Sequence, residues 1–242
     1  MDGIGQGPKV VFSVFGLDIT ETVVIGWAII VAVLLVCLFL TRSLKRIPEK
    51  KSQVVAEIFV EFVNNTVETT MGKQWKHFAP YIGTLLVYAV IGALVSLLGL
   101  RSMTADFNVT LTWALMTFVL ITFYKIKTNG VGGYLKSFGQ PIPIMLPLNL
   151  LSEVATPLSM AFRMFGNVAG GAVITGLLYG GLSFVSQALH ISFCVGPFTL
   201  DMAQLFTPAV LSVYFDLFSG CIQAYIFSML TMVYVSSAAE TE

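Results

Sequence analysis

One basic residue, Arg163, stands alone in a long apolar part of the chain. No other Lys or Arg occurs between Ser137 and the C-terminus at Glu242. The guanidinium group does not lose its proton in proteins, and a charge at the centre of a bilayer costs about 2.5–3.5 kcal/mol. A permanent cation in such a place favours the ionised form of a carboxyl group that meets it, and it repels other cations. Arg163 is therefore the first candidate for a functional residue.

Four further polar residues accompany Arg163 in two long apolar segments. The first segment carries Glu153 and Asn167, and the second carries Asp216 and Gln223. Asn167 lies four residues after Arg163, and Glu153 lies ten residues before it, so a helix would point all three in roughly one direction. Asp216 and Gln223 are seven residues apart and also share a helical face. The spacing predicts two polar stripes that face each other in an antiparallel helix pair.

Simpler interpretations of these polar residues stay open at this point. Asn167 and Gln223 could be hydrogen-bonding groups that hold helices together. Asp216 could neutralise Arg163 as a salt-bridge partner. Asp106, at a predicted external turn, favours a helix cap over a role in proton relay.

The composition is that of a membrane protein. Hydrophobic residues make up 56% of the 242 residues and charged residues only 11%, against about 25% in soluble domains. The formal net charge is zero, so no nucleic acid partner is predicted. The three cysteines, 37, 194 and 221, follow no metal-binding spacing, and no metal or cofactor is predicted. No cleavable signal peptide is apparent.

Hydropathy along the chain predicts an all-α membrane protein, with about five membrane helices and one amphipathic helix at the membrane surface. The prediction is a single membrane domain, 1–242, divided into an external N-terminus (1–21), helix 1 (22–41), the amphipathic helix (53–71), helix 2 (78–100), helix 3 (109–124), long helix 4 (148–187) and long helix 5 (201–237). Basic residues cluster after helix 1, and Lys125, Lys127 and Lys136 follow helix 3. The positive-inside rule places both regions in the cytoplasm, the N-terminus outside and the C-terminus in the cytoplasm.

The last two segments are too long for simple perpendicular spans. Forty helical residues extend about 60 Å, whereas the hydrocarbon core is about 30 Å thick. Polar residues are spread along both segments, which favours two strongly tilted helices in an antiparallel pair. Pro157 could kink the first of them. The alternative of two spans in each segment would require sharper interruptions.

Several stretches resemble subunit a of F-type ATP synthases of the bacterial type. RMFGNVAGG (163–171) is similar to the R-L-F-G-N-x-x-A-G signature of that family. IQAYIFSMLTMVY (222–234) resembles its terminal glutamine block, and ADFNVTLTWAL (105–115) resembles its A-D-x-N-x-T turn and helix. FYKIKTNGVGGY (123–134) continues that block. The resemblance covers essentially the whole chain, with the blocks in the family order.

The resemblance implies a static subunit that packs against a rotating ring of subunit c, with subunit b as a further partner, in a bacterial plasma membrane. Two offset half-channels would lead ions to and from the carboxylates of the ring. Arg163 matches the essential arginine of the family, and Asn167 and Gln223 match polar residues around it. For the external path the expectation is Asp216 with Asn167 and Gln223, and for the cytoplasmic path Glu153.

Two departures from the family pattern affect the expected lining of the half-channels. Some members carry an acid nine positions after the arginine, where this chain has Ala172. In the family the helix before the 105–115 block often ends with an acidic residue, whereas this chain has Arg101 and no carboxylate there. Asp216 could take over from the acid that is missing at position 172.

Other functional classes fit the sequence less well. A stand-alone channel or secondary transporter would normally show repeated halves, and no internal repeat is found. An intramembrane enzyme would need a motif such as H-E-x-x-H or G-x-S-x-G, and neither occurs. A purely structural scaffold would leave Arg163 unexplained. The sequence has no G-x-x-x-x-G-K-[ST] loop, so direct nucleotide binding is not predicted, and ATP chemistry would belong to partner subunits.

Overall fold

The structure is a computed structural model. It describes residues 10–14, 17–42, 50–98, 100, 102–139, 142–189, 193–195, 198–200 and 213–240. The described part is mostly helical. It also contains two short antiparallel strand pairs, Val10–Val14 with Leu17–Thr20 and Phe193–Val195 with Phe198–Leu200.

Six α-helices make up most of the described residues. They are α1 (Glu21–Thr41), α2 (Lys51–Met71), α3 (Ala79–Leu94), α4 (Phe107–Ser137), α5 (Leu146–Leu189) and α6 (Gly220–Ala239). A π-helical segment, Val213–Ser219, leads directly into α6. Short 3₁₀ turns extend or precede the others: Lys73–Phe78, Val95–Leu98, Met103–Ala105 and Pro143–Met145.

Five of the described helical stretches are long and apolar enough to cross a membrane. They are Glu21–Thr41, Lys73–Leu98, Phe107–Ser137, Leu146–Leu178 and Leu217–Ala239. Helix α2 is not among them, since Glu57, Glu61 and Glu68 lie on it together with apolar residues. The chain is therefore an all-α, multi-pass membrane protein.

Helices α3 to α6 pack around a common core. Trp113 of α4 contacts Phe227 of α6 edge to face, with ring centroids 6.3 Å apart. Deeper along the same pair of helices, the hydroxyl groups of Thr117 and Thr231 lie 3.3 Å apart and are fully buried. Small and hydroxylated residues let the helix backbones approach closely where lipid provides no hydrophobic driving force.

Helix α1 joins this bundle through a small surface. Its residues Thr22, Gly26 and Ile29 are buried, whereas most of its other side chains are exposed. A Cβ atom on Gly26 would lie 2.9 Å from the hydroxyl oxygen of Tyr88 and 3.0 Å from the sulfur of Met103. Glycine at this position therefore permits the close approach of α1 to α3.

The element bounds differ from the sequence prediction at α4 and in the N-terminal segment. Helix α4 continues to Ser137, where the prediction ended at 124, and it turns at Gly130, whose φ of 70° suits a residue without a Cβ atom. The predicted external N-terminus contains the hairpin Val10–Val14 and Leu17–Thr20. The start of the last predicted helix, 201–212, lies outside the described residues.

The long helix α5 has no break within its bounds and holds Pro157 inside. A proline removes one backbone hydrogen bond, which neighbouring helices and hydroxyl side chains compensate in membrane proteins. The steep tilt of α5 and of its partner stays a prediction.

Candidate functional site

Arg163 lies on the outer surface of the bundle. The residues Met160, Ala161 and Met164 on the other side of the same helix are buried in the core. Arg163 itself is exposed, and no hydrogen bond or ion pair joins its guanidinium group to any residue that the structure describes. The chain thus presents a permanent charge outward at the level of its membrane helices.

Arg163 lies on a largely apolar face of α5. Phe162 is 57% exposed and Leu177, further along the helix, is 73% exposed. At Gly166 and Gly170 no described atom lies within 4 Å of the position that a Cβ atom would take. Small residues in a row give a groove in which another helix can lie close. The arginine and this groove occupy one continuous surface of α5.

Asn167 joins α5 to the start of α6. Its amide nitrogen donates to the carbonyl oxygen of Ser219 at 3.2 Å, and the Ser219 hydroxyl donates to the Asn167 side-chain oxygen at 2.6 Å. Ser219 is the last residue of the π-helical segment, where the change of helical pitch alters the backbone bonding pattern. The side chain of Asn167 therefore supplies a partner that the backbone needs there.

Gln223 lies one helical turn beyond Ser219 on α6. Its amide nitrogen is buried and has no hydrogen-bond partner among the described residues. Leaving such a group unsatisfied costs about 1–3 kcal/mol in a protein interior. A partner from outside the described residues, such as water or another subunit, would remove that cost.

Asp216 lies in the π-helical segment, three residues before Ser219. Its side chain falls outside the described part of the structure, so its predicted pairing or proton-transfer role stays a prediction.

Glu153 lies near the other end of α5 and is bound to Lys125 of α4. The ammonium nitrogen of Lys125 lies 2.7 Å and 2.9 Å from the two carboxylate oxygens of Glu153. The Glu153 side chain is 14% exposed and that of Lys125 is 32% exposed. From the sequence Lys125 is only a basic residue of a predicted loop, and no local pattern links it to an acid 28 positions away.

The Lys125–Glu153 pair lines a cavity of about 550 Å³ that opens where α4 passes to α5. Other residues of the lining come from the end of α6, including Ser237 and Ala238. Asn167 contacts Ser219 directly before α6, and Glu153 shares a cavity with Ser237 late in α6, which is the order expected of neighbours that run in opposite directions. The antiparallel pair nevertheless stays a prediction, like the tilt.

Asp106 lies at the opposite end of α4 and caps that helix. Its carboxylate accepts a hydrogen bond from the backbone nitrogen of Asn108 at 3.0 Å, which confirms the predicted capping role. It also accepts from the hydroxyl of Thr22 at 2.9 Å, and both side chains are buried. Asp106 therefore ties the start of α1 to the start of α4.

Among the described residues, no group of three or more His, Cys, Asp or Glu side chains is placed to hold a metal ion. The polar sites described above are the exposed Arg163 surface, the Asn167–Ser219 contact with the nearby Gln223, and the Lys125–Glu153 cavity. The family model of the ATP synthase A chain matches residues 23–236, which include Arg163, Asn167, Gln223, Lys125 and Glu153.

The chain belongs to the ATP synthase A chain family.

Individual relatives agree with this assignment over most of their length. The sodium-ion-specific ATP synthase subunit a of Propionigenium modestum is 32% identical, over 93% of this chain and 76% of the relative. The subunit a of Bacillus subtilis is 36% identical, over 85% of this chain and 86% of the relative. That of Bacillus pumilus is 34% identical, over 88% of each chain.

Membership fixes the general role of the protein. An ATP synthase subunit a is an ion-translocating membrane subunit in the stator of the complex and is not an enzyme on its own. The five apolar helical stretches described above agree with a multi-pass membrane subunit.

Proposed function

We propose that this chain provides two offset ion half-channels and that Arg163 couples ion flow through them to rotation of a ring of c subunits, and thereby to ATP synthesis. The observation that carries the proposal is the exposure of Arg163 on an apolar surface, without a partner among the described residues. A membrane helix that bears a carboxylate would fit the groove at Gly166 and Gly170 and bring its acid close to the guanidinium.

Arg163 has two effects on ions at this boundary. A protonated ring carboxyl group is neutral and tolerates lipid, but an opposite charge within ~4–6 Å lowers its pKa by ~1–3 units. The carboxyl group therefore releases its proton when it reaches Arg163. The same fixed charge repels a cation that would otherwise pass directly from one half-channel to the other.

The remaining polar residues are assigned to the two paths. Asp216 receives protons on the external side, with Asn167 and Gln223 ordering water or the arginine. The buried, unsatisfied amide of Gln223 supports a place next to water or a partner group. Glu153 belongs to the cytoplasmic path, which is supported by its position on the 550 Å³ cavity.

The orientation is proposed with the N-terminus outside and the C-terminus in the cytoplasm of a bacterial cell, in a plasma membrane complex that contains subunits b and c. Lys127 and the end of α6 at Ala239 line one common cavity, so the basic region and the C-terminal end of α6 lie close together. Thr22 and Asp106 lie together at the other end of their helices. Both observations support this topology.

The test is the substitution Arg163→Ala in the complete complex, reconstituted in vesicles. ATP synthesis driven by a proton gradient is expected to fall by about 10²-fold or more, because the group that makes the ring carboxyl group release its proton is lost. The matched control is Lys127→Ala, which removes a charge from an exposed position on α4. Assembly of both variants is checked by blue-native electrophoresis. Retained ATP synthesis in an assembled Arg163→Ala complex would contradict the role assigned to Arg163.

The same electrophoresis separates the alternative function. A stand-alone channel or secondary transporter would migrate as a small oligomer of this chain, whereas the stator subunit migrates in a large assembly.

A further inference from the structure

Two cavities meet at the Lys125–Glu153 ion pair. The larger has a volume of about 550 Å³ and the smaller about 260 Å³. Lys125, Glu153, Ser237 and Ala238 belong to the walls of both. The ion pair therefore stands at the boundary between the two spaces.

The two cavities differ in depth and in chemistry. The larger is near the helix ends and is rich in hydroxyl and amide groups, which hold water well: Asn129, Tyr134, Ser137, Asn149 and Ser152. The smaller reaches toward the middle of the helices, where Phe118, Ile121, Thr156 and Tyr234 line it. An ion that moves from the larger space into the smaller one passes the pair, which belongs to the walls of both.

The contact leaves Glu153 little capacity to bind another cation. The Lys125 ammonium nitrogen lies within 2.9 Å of both carboxylate oxygens. Because the ammonium is attached to α4, it acts as a resident counter-ion with a high effective concentration at the carboxylate. A free metal cation would have to displace it and also lose part of its own hydration shell.

We propose that the Lys125–Glu153 pair is a selectivity filter that keeps sodium and other metal cations out of the inner cavity while protons pass along the water and hydroxyl groups beside it. This inference rests on the proposed function, since it assigns the ion that the cytoplasmic path of this chain admits. Cation-conducting channels place unpaired Asp or Glu groups in their pores. Here the corresponding carboxylate is neutralised by a side chain of the protein, whereas a proton needs only a chain of hydrogen-bonding groups.

Lys127 provides a matched comparison on the same helix. It lies two positions after Lys125, is exposed, and has its ammonium nitrogen 5.8 Å from the centre of the Tyr124 ring. It belongs to the wall of neither filter cavity. Replacing Lys127 removes the same charge from the same helix without changing Glu153.

The experiment measures passive proton flux through the membrane sector in vesicles after removal of the catalytic head. Sodium chloride is titrated against choline chloride at constant ionic strength on the side where α4 passes to α5. In Lys125→Gln, Glu153 loses its counter-ion, so sodium binds there and competes with protons. The sodium concentration that halves the flux is expected to fall by about tenfold or more relative to wild type, because a unit charge in direct contact with the site is removed. Lys127→Gln is expected to behave as wild type.

A second variant keeps the test decisive if Lys125→Gln fails to assemble. Lys125→His can pair with Glu153 at low pH, where the imidazole is charged, and loses that charge as the pH rises. Sodium inhibition is expected to appear in this variant only as the pH rises. The wild type is measured over the same range to correct for the proton concentration itself.

Each outcome is informative. Sodium sensitivity in Lys125→Gln equal to that of wild type, or an equal shift in Lys127→Gln, would overturn the filter while leaving the proposed function intact. The same holds for sodium inhibition of Lys125→His that does not change with pH. A wild-type sector that carries no proton flux would contradict the proposed function, and the filter with it.

Discussion

Arg163 and Lys125 are both cations on the membrane helices of this protein, and their surroundings are opposite. Lys125 is bound to both oxygens of Glu153 within the chain. Arg163, on the next helix, is exposed among apolar residues and has no partner among the residues that the structure describes. The first charge is satisfied by the fold, whereas the second is available to another molecule.

The difference separates stability from function. Taking an ion out of water costs several kcal/mol unless a partner compensates it, so a buried pair must be kept complete. An exposed charge without an intramolecular partner contributes little to the stability of its own fold. We therefore expect Arg163 to matter for the working complex and the Lys125–Glu153 pair to matter also for the folded chain.

The largest effect on stability is expected where one member of the pair is removed. Lys125→Met leaves the Glu153 carboxylate partly buried without its partner and should lower the free energy of unfolding by about 1–3 kcal/mol. Arg163→Met removes no contact with a described residue and takes a charge off an apolar surface, so it should not lower the free energy of unfolding. Thermal stability of the purified protein in detergent, followed by size-exclusion chromatography after heating, measures both.

The double variant Lys125→Met with Glu153→Leu is the control for this comparison. It removes both charges together and should recover most of the lost stability. If Lys125→Met were as stable as Arg163→Met, the Lys125–Glu153 pair would not stabilise the fold, and the contrast between Lys125 and Arg163 would be wrong.

A smaller effect is expected at the contact between Asn167 and Ser219. Asn167→Ala removes two hydrogen bonds between α5 and the start of α6 and should cost about 1–2 kcal/mol, less if water enters. Ser219→Ala removes one of the two. In a double-mutant cycle on thermal stability, a coupling energy above about 0.5 kcal/mol is expected. Strictly additive effects would show that the contact is unimportant and would leave Asn167 with a role only beside Arg163.

The smallest effect is expected for an ion pair that faces water. The hydrogen bond and charge of Lys76, with a further contribution from Lys73, lower the pKa of Glu68 from its usual 4.5. A lowered pKa in the folded protein means that the ion pair stabilises the fold at pH values above 4.5. This contribution is lost as the pH falls through the lowered pKa of Glu68. Wild type should therefore lose slightly more thermal stability than Glu68→Gln between neutral and acidic pH. An equal loss of thermal stability in both proteins would show that this ion pair does not stabilise the fold.

Much of the architecture follows from local sequence signals. The apolar stretch in 22–41 predicts a membrane helix because its length and composition suit the bilayer, and α1 covers Glu21–Thr41. Asp106 predicts the start of α4 because a carboxylate satisfies backbone N–H groups at a helix N-terminus. The family was also recognisable from the block around Arg163, which the match over residues 23–236 confirms.

Other features could not be read from the sequence because they depend on contacts between distant helices. The basic residues after position 124 suggested a loop, but α4 continues through Lys125 and Lys127 to Ser137. The pairing of Lys125 with Glu153 arises only when α4 and α5 lie side by side, since no periodicity relates two residues on separate helices.

The sequence by itself determined which segments enter the membrane, and it showed that a single permanent cation, Arg163, accompanies the last two of them. Hydrophobic transfer and helix geometry depend on local composition, so a single chain is enough to infer them. The tertiary structure decided which charges are neutralised within the protein and which one faces outward. Electrostatic energy depends on the distance between groups and on their burial, and both quantities exist only once the helices have packed.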